Sequence, residues 1–161
     1  MKSGKNLSVG IIIGAVVLFV VAAAVIIILP RILYPMTTLR FGDGVFNARV
    51  INNEGSMNNG LSGEAYFDPD EAVIIIFPSD DRWTVGTKDI KASVDLVWLD
   101  GNKKVVYIVK DASPDNPESA IFTPKEKSRY VIELPAGTVS SKAITLGTKA
   151  IFEINNNGGS N

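Results

Sequence analysis

Three charged residues that lie close together in the sequence, Lys88, Asp89 and Asp95, carry the side chains best suited to acid–base chemistry. Asp95 falls in the run Ser93–Leu99, which alternation makes apolar on both faces of a predicted strand. This carboxylate should therefore be at least half buried. It then needs a partner, because an unpaired buried charge costs several kcal/mol.

Two interpretations of this cluster stay open. In the first, Lys88, Asp89 and Asp95 form a polar pocket that holds a ligand or moves a proton. In the second, Asp95 forms a structural ion pair with a nearby cation and fixes a loop to the sheet. The candidate cations are Lys88, Arg82 and Arg129.

Other residues offer weaker chemical signals. Trp83 could stack on a sugar or a peptide, although packing at the rim of a core explains an aromatic residue equally well. Ser140, Ser141 and Lys142 resemble a Ser–Lys pair, but they are adjacent and are interpreted as helix surface. The acidic runs 68–71 and 80–81 do not follow the spacing of a calcium-binding loop and are interpreted as solvated turns.

The composition excludes several familiar sites. The chain has no histidine, which removes the commonest general base, the commonest transition-metal ligand and the Ser-His-Asp triad. It also has no cysteine, which removes disulfides, thiolate chemistry and a lipobox for a lipid anchor. No metal or cofactor is expected.

The elements that position these residues begin with an apolar N-terminal segment. Residues 9–29 are 21 residues without a charge, and as a helix they reach roughly 31 Å, the thickness of a hydrocarbon core. A secretory signal peptide has an apolar region of roughly 7–15 residues. We therefore predict an uncleaved, single-pass signal-anchor rather than a cleaved signal.

Charges on the two sides of this segment predict its orientation. Lys2, Lys5 and the amino terminus precede it, whereas Arg31 and Arg40 follow it. This weak excess of positive charge places the N-terminus in the cytoplasm and the C-terminal domain outside it.

The remaining chain is predicted to form one domain. Residues 1–8 are a short basic segment, 9–29 the transmembrane helix, 30–36 a linker, 37–154 the domain and 155–161 a disordered, low-complexity tail. With Lys2, Lys5 and Arg31 set aside, 13 basic residues oppose 17 acidic ones. The resulting net charge of −4, without a basic stripe, argues against a nucleic-acid partner.

Apolar runs and turn signals predict a mostly β domain with short helices. Asp100-Gly101 lies between two runs and predicts a hairpin, and Pro135–Ala143 could open a short helix. The predicted strands are Val45–Ile51, Ala72–Phe77, Ser93–Leu99, Lys103–Val109, Arg129–Leu134 and Ala150–Ile154. In the first of them, Val45, Ala48 and Val50 are the apolar residues of a half-buried strand.

Several of these segments resemble the bacterial and archaeal domain of unknown function 192 over about residues 45–154. The resemblance rests on Gly60-Leu61, on an apolar strand ending in Phe77-Pro78, on the Asp95 strand with its hairpin, and on the box Ile132–Gly137. It implies a compact, mostly antiparallel and barrel-like β fold, and it implies no activity. At 85–89 the chain reads VGTKD, where the family usually has an aromatic residue, Trp, Met, Lys and Asn, so that Lys88 matches and the aromatic residue is lost.

Three functions remain open from the sequence. The first is a membrane-anchored, extracytoplasmic module that binds a small molecule, a glycan or a protein without catalysis. The second is an unusual envelope enzyme that uses Lys88, Asp89 and Asp95. The third is a subunit of a membrane complex that assembles through its helix, where Gly10 and Gly14 have the spacing of a helix-packing motif.

Overall fold

The computed structural model describes residues 4–33, 35–52, 68–87, 90–113, 115 and 121–154. The chain divides into two compact units, Met1–Tyr34 and Pro35–Asn161. The second unit is mostly β with short helices, as predicted, and antiparallel pairs dominate its sheet.

The first unit contains one helix, α1, over Gly4–Leu33. We expected Pro30 to end this helix, but the helix continues for three residues beyond it. A proline inside a helix loses one hydrogen bond and crowds the carbonyl four residues earlier, so the last turn of α1 forms at this cost. Judged on the described residues, no helix combines the length and the hydropathy needed to cross a membrane.

The second unit is built on a six-stranded sheet in the order β1-β2-β3-β8-β5-β6. Only the β2–β3 pair is parallel. A separate two-stranded sheet pairs β4 with β7. The strands are β1 (Met36–Phe41), β2 (Gly44–Ile51), β3 (Glu71–Asp81), β4 (Val85–Gly86), β5 (Val94–Leu99), β6 (Val105–Ala112), β7 (Ile121–Phe122) and β8 (Ser128–Pro135). One short helix, α2 (Thr138–Ser141), follows β8.

The large sheet is buried on both faces at its centre, because all six residues of β5 are buried. The Asp95 face carries Asp95, Val97 and Leu99, whereas the Trp98 face carries Val94, Leu96 and Trp98. The main core covers the Asp95 face. It includes Leu39, Phe41, Phe46, Ala48, Ile74, Val97, Leu99, Ile132, Leu134, Val139, Ile144, Ala150 and Phe152.

The predicted hairpin between β5 and β6 is present, but its turn differs from the prediction. Asp-Gly favours a two-residue turn with positive φ at the glycine. Here the positive φ, 63°, belongs to Lys103, and Asp100 exchanges backbone hydrogen bonds with Lys103 and Lys104. The Asp100 carboxylate also accepts the backbone N–H groups of Asn102 and Lys104 at 2.9 and 2.8 Å. This carboxylate therefore stabilises the longer turn.

The two edges of the sheet are linked by a C-terminal segment. The N–H of Val105 donates to the carbonyl of Thr148 at 3.0 Å, and Arg40 and Ile151 exchange two hydrogen bonds of 2.9 Å. These contacts are isolated bridges, and the described strands do not form a closed barrel. The segment therefore joins β6 to β1 without forming the regular strand predicted at Ala150–Ile154.

The first two strands add detail to the sequence prediction. Strand β1 begins at Met36, the last residue of the predicted linker, and its alternating sequence MTTLRF is weakly apolar. In β2, Val45 points to solvent and is 56% exposed, whereas Phe46 is buried. Since alternate residues face opposite sides, the buried set of β2 is Phe46, Ala48 and Val50.

Candidate functional site

Asp95 is the buried acidic residue around which the predicted site was built. Its side chain is fully buried. One carboxylate oxygen accepts the backbone N–H of Asp111 at 2.9 Å, and the other accepts the backbone N–H of Val139 at 2.7 Å. Hydrogen bonds to a charged acceptor are about twice as strong as neutral ones. Asp95 therefore ties the end of β6 and the start of α2 to the centre of the sheet.

The local structure explains why a carboxylate is needed at this place. Helix α2 begins after Gly137, which has a φ of 82° and no side chain to cap the helix. Val139 is the second residue of α2, and its N–H is one of the donors that a helix start leaves unsatisfied. The carboxylate of Asp95, on β5, accepts a hydrogen bond from this N–H. It thereby replaces the missing N-cap side chain.

The second partner, Asp111, lies where the pairing of β5 and β6 is irregular. The register between these strands shifts between Val94 and Leu96, opposite the end of β6. Asp111 has a φ of 51°, and aspartate tolerates this left-handed conformation better than most residues do. The irregularity turns the N–H of Asp111 toward Asp95, and so this amide finds a buried acceptor.

Two of the predicted cationic partners, Arg82 and Arg129, are described, and neither forms an ion pair with Asp95 within the described part of the chain. Arg129 instead forms an ion pair with Asp80 at 3.9 Å. The described partners of the carboxylate are backbone amides, and the predicted ion pair with Lys88 stays a prediction.

Lys88 and Asp89 lie outside the described residues, so their place relative to Asp95 stays a prediction. The residues on either side of them are described. Thr87 is fully buried and Ile90 nearly so, and the N–H of Ile90 donates to the carbonyl of Thr87 at 3.2 Å. The described residues on either side of Lys88 and Asp89 are therefore buried and hydrogen-bonded to each other.

Trp83 contacts Trp98, whose side chain lies on the opposite face of β5 from Asp95. Its ring stacks on Phe77 with a centroid distance of 4.6 Å and an interplanar angle of 6°. Its indole N–H donates to the carbonyl of Ser79 at 2.8 Å, and its own carbonyl accepts the indole N–H of Trp98 at 2.8 Å. Both polar ends of Trp83 are thus used within the protein, which is typical of packing.

A second buried carboxylate, Glu133 on β8, was missed as a candidate. Its side chain is 4% exposed and interacts with at least one other group. The register places Glu133 beside Val73 on one neighbouring strand and Leu96 on the other, so it lies on the Trp98 face. The signal was available in the sequence, because Glu133 is the one acidic residue inside the apolar run of RYVIEL.

The remaining candidate residues do not form a catalytic or metal site within the described part of the chain. Ser140 accepts a hydrogen bond at 3.0 Å from Lys110 and not from the adjacent Lys142. Both Ser140 and Lys110 are exposed, whereas an activating lysine must be desolvated. No group of three or more metal-ligating residues occurs within the described ranges.

Comparison with known proteins supports the fold of this chain and gives no information on its activity. A protein from Sinorhizobium meliloti, named as a candidate transcription regulator, has a TM-score of 0.70 and 19% identity, and the match covers 74% of this chain and 95% of that one. A protein of unknown function from Novosphingobium aromaticivorans has a TM-score of 0.66 and 17% identity, with 73% and 84% covered. At this identity the likeness concerns the fold alone. No functionally curated protein matches the sequence.

The sequence also matches a family model over residues 37–152, which include every strand of the second unit except the first residue of β1. The Asp95 strand and the Pro-Ala-Gly box that carried the resemblance meet in the structure, since Asp95 binds the N–H of Val139 directly after that box. The chain therefore belongs to the family DUF192, described as Uncharacterized ACR.

Proposed function

We propose that this protein is a membrane-anchored, extracytoplasmic module that binds a ligand or partner and does not catalyse a reaction. The observation that carries the proposal is the state of Asp95. Both of its oxygens accept hydrogen bonds from backbone amides, so the best-placed acidic group of the predicted acid–base cluster is occupied in holding the fold.

The enzyme alternative needs a free acid or base beside a reacting group. Asp95 is fully buried, so a substrate in solvent has no direct access to its carboxylate. Both residues of the Ser140–Lys110 pair are exposed, so the lysine lacks the desolvation that would activate it. The chain also has no histidine or cysteine to take these roles. These observations favour binding over catalysis.

The anchor rests on the sequence of the N-terminal unit. The 21 uncharged residues 9–29 lie within the bounds of α1, Gly4–Leu33. Several large apolar side chains of this helix are exposed, among them Ile11, Leu18 and Phe19 at 67, 72 and 76%. In water this exposure is unfavourable, at about 25 cal/mol for each Å² of apolar surface, whereas lipid would cover it.

The orientation rests on the lysines that precede the helix and the smaller positive charge that follows it. The domain outside the cytoplasm is proposed to be barrel-like, since residues 148–151 bridge β6 and β1. Its net charge of −4 makes a small molecule, a glycan or a protein a better candidate ligand than nucleic acid.

The anchor and its orientation are tested by protease accessibility of the full chain in intact cells. A tag after Asn161 allows the C-terminal fragment to be followed. We expect the protein to sediment with membranes and the domain to be digested from outside once any outer barrier is opened. A freely diffusing mature protein, or a domain protected until the cytoplasmic membrane is lysed, would contradict the proposal.

Absence of catalysis is tested with single alanine variants of Lys88, Asp89 and Asp95. We expect Asp95→Ala to lower stability and the two others to affect, at most, binding. If a variant stays folded while turnover of an envelope substrate disappears, the protein is an enzyme and the proposal of a binding module is wrong.

A further inference from the structure

We infer that one exposed edge of the domain binds the headgroups of anionic lipids. This surface, the edge patch, consists of three cationic and two apolar side chains on the outer side of the linked sheet edges. Its residues are Arg40, Val45, Lys104, Lys149 and Ile151. The choice of lipid as the ligand rests on the membrane anchor proposed above. The existence of the edge patch does not depend on that anchor.

The pairing register shows that the edge patch is continuous. Arg40 lies opposite Val45 on one side and opposite Ile151 on the other. Residues directly opposite in a sheet share a face and have neighbouring side chains. Lys149, two residues before Ile151, points the same way and lies opposite Lys104.

The alternate residues of the same segments confirm this orientation. Leu39 and Phe41 on either side of Arg40 are buried, as are Ala150 and Phe152 on either side of Ile151. By contrast, Val45 and Ile151 are 56 and 61% exposed, and the three cationic residues are exposed as well. The edge patch therefore presents its side chains outward as a set.

Contacts among the described residues do not account for these charges. Lys104 and Lys149 lie directly opposite each other, an arrangement of like charges that destabilises a sheet. Within the described part of the chain, none of the three cationic side chains of the patch has an acidic partner at ion-pair distance. The patch thus gathers three positive charges on a domain whose net charge is −4.

Cationic side chains beside exposed apolar ones fit the surface of a bilayer that contains anionic lipid. The cations attract phosphate-bearing headgroups, and the apolar side chains enter the boundary between headgroups and acyl chains. The anchor favours this ligand, because β1 begins at Met36, three residues after the last residue of α1. A domain tethered to the membrane would meet the lipid surface at a high effective concentration.

The test uses residues 35–161 without the anchor. This unit has its own core, and 95% of the Sinorhizobium meliloti chain matches 74% of the present one, so the fold exists in a protein of about the size of the domain. Sedimentation measures its partition onto vesicles of phosphatidylcholine alone and onto vesicles with about one quarter phosphatidylglycerol. We expect binding to the mixed vesicles only, and weaker binding as salt is raised.

The decisive variant is Lys104→Gln with Lys149→Gln. Because each lysine near a charged bilayer strengthens partition by about five-fold, the double variant should bind roughly 25-fold more weakly. The matched control is Lys125→Gln with Lys127→Gln, which removes two exposed lysines outside the patch. The control should bind within about two-fold of the unchanged domain, and unfolding in urea should show that both variants are folded.

Three outcomes would overturn the inference. Equal loss in both double variants would mean that overall charge, not the edge patch, drives binding. Competition by inorganic phosphate at concentrations that leave the Debye length unchanged would identify free phosphate as the ligand. If the domain does not bind vesicles but self-associates, and the Lys104→Gln, Lys149→Gln variant changes that self-association, then a second copy of the chain is the partner. Each of these leaves protease accessibility unchanged, so failure of the edge patch is distinguishable from failure of the anchor.

Discussion

The carboxylate of Asp95 and the backbone N–H of Val139 are joined by a hydrogen bond of 2.7 Å that links β5 to the start of α2. The two residues are 44 positions apart in the chain, and the contact is buried. Together with the bond to Asp111, it makes one side chain responsible for the position of two segments.

Replacing Asp95 with alanine should therefore lower the free energy of unfolding by about 3–5 kcal/mol, because two backbone donors lose their charged acceptor. Asp95→Asn keeps one acceptor oxygen and should lose less. Urea unfolding measures both changes. Glu126→Ala, at an exposed acidic residue, is the control and should stay within about 0.5 kcal/mol of the unchanged protein. A loss no larger than that of the control would refute the structural role of Asp95.

Ala143 follows α2 with a φ of 53°, a left-handed conformation that glycine adopts without steric cost. Its side chain is exposed. Ala143→Gly should therefore raise the midpoint of thermal unfolding, with a stabilisation of about 0.5–1 kcal/mol. The control is Ala136→Gly, since Ala136 is exposed without a positive φ and should be destabilised by the added backbone freedom. If both variants changed the midpoint of thermal unfolding in the same direction and by the same amount, this account of the helix end would be contradicted.

Gly42 and Gly147 both have positive φ, 56° and 81°, but their surroundings differ. A methyl group added at Gly42 would collide with the carbonyl oxygen of Lys142, whereas nothing lies within 4 Å of the same position at Gly147. Gly147→Ala should cost about 1–2 kcal/mol for its backbone conformation alone. Gly42→Ala should cost clearly more, because the backbone of the segment after α2 must also move. Chemical denaturation of the two variants tests the difference, and similar losses would contradict it.

Trp83 stacks on Phe77 and donates one hydrogen bond to Ser79. Trp83→Ala should destabilise the domain by about 3 kcal/mol, and Trp83→Phe should recover much of that loss because it keeps the stacked ring. Stability and ligand affinity should be measured in parallel. If Trp83→Phe is as stable as the unchanged protein and loses a ligand, then Trp83 contributes to binding and its role as packing is incomplete.

How much of the site the sequence could predict is clearest at Asp95. Alternation along β5 placed it correctly with Val97 and Leu99 and required it to be buried. Its partners could not be predicted from spacing, because they are backbone amides 16 and 44 residues away that only the tertiary fold brings near. Whether Lys88 adds a cationic partner stays a prediction, because Lys88 lies outside the described residues.

The sequence predicts the fold well where apolar runs are long. It predicts the fold poorly where a single residue determines which face of a strand is buried. The central strands β3, β5 and β8 and helix α2 lie close to their predicted positions. In β2 the choice between Val45 and Phe46 depends on pairing with β1, which the sequence did not reveal. The hairpin turn was misjudged because Lys103, not Gly101, takes the left-handed conformation.

The link between the two edges of the sheet also decides when the domain can fold. The hydroxyl of Thr37 donates to the carbonyl of Glu153, 116 residues later, and Arg40 pairs with Ile151 in the same region. Strand β1 is synthesised well before the segment that completes its outer border. A nascent chain therefore carries an open edge on β1 until that segment emerges, and we expect a chaperone or rapid export to shield this edge from pairing with other chains.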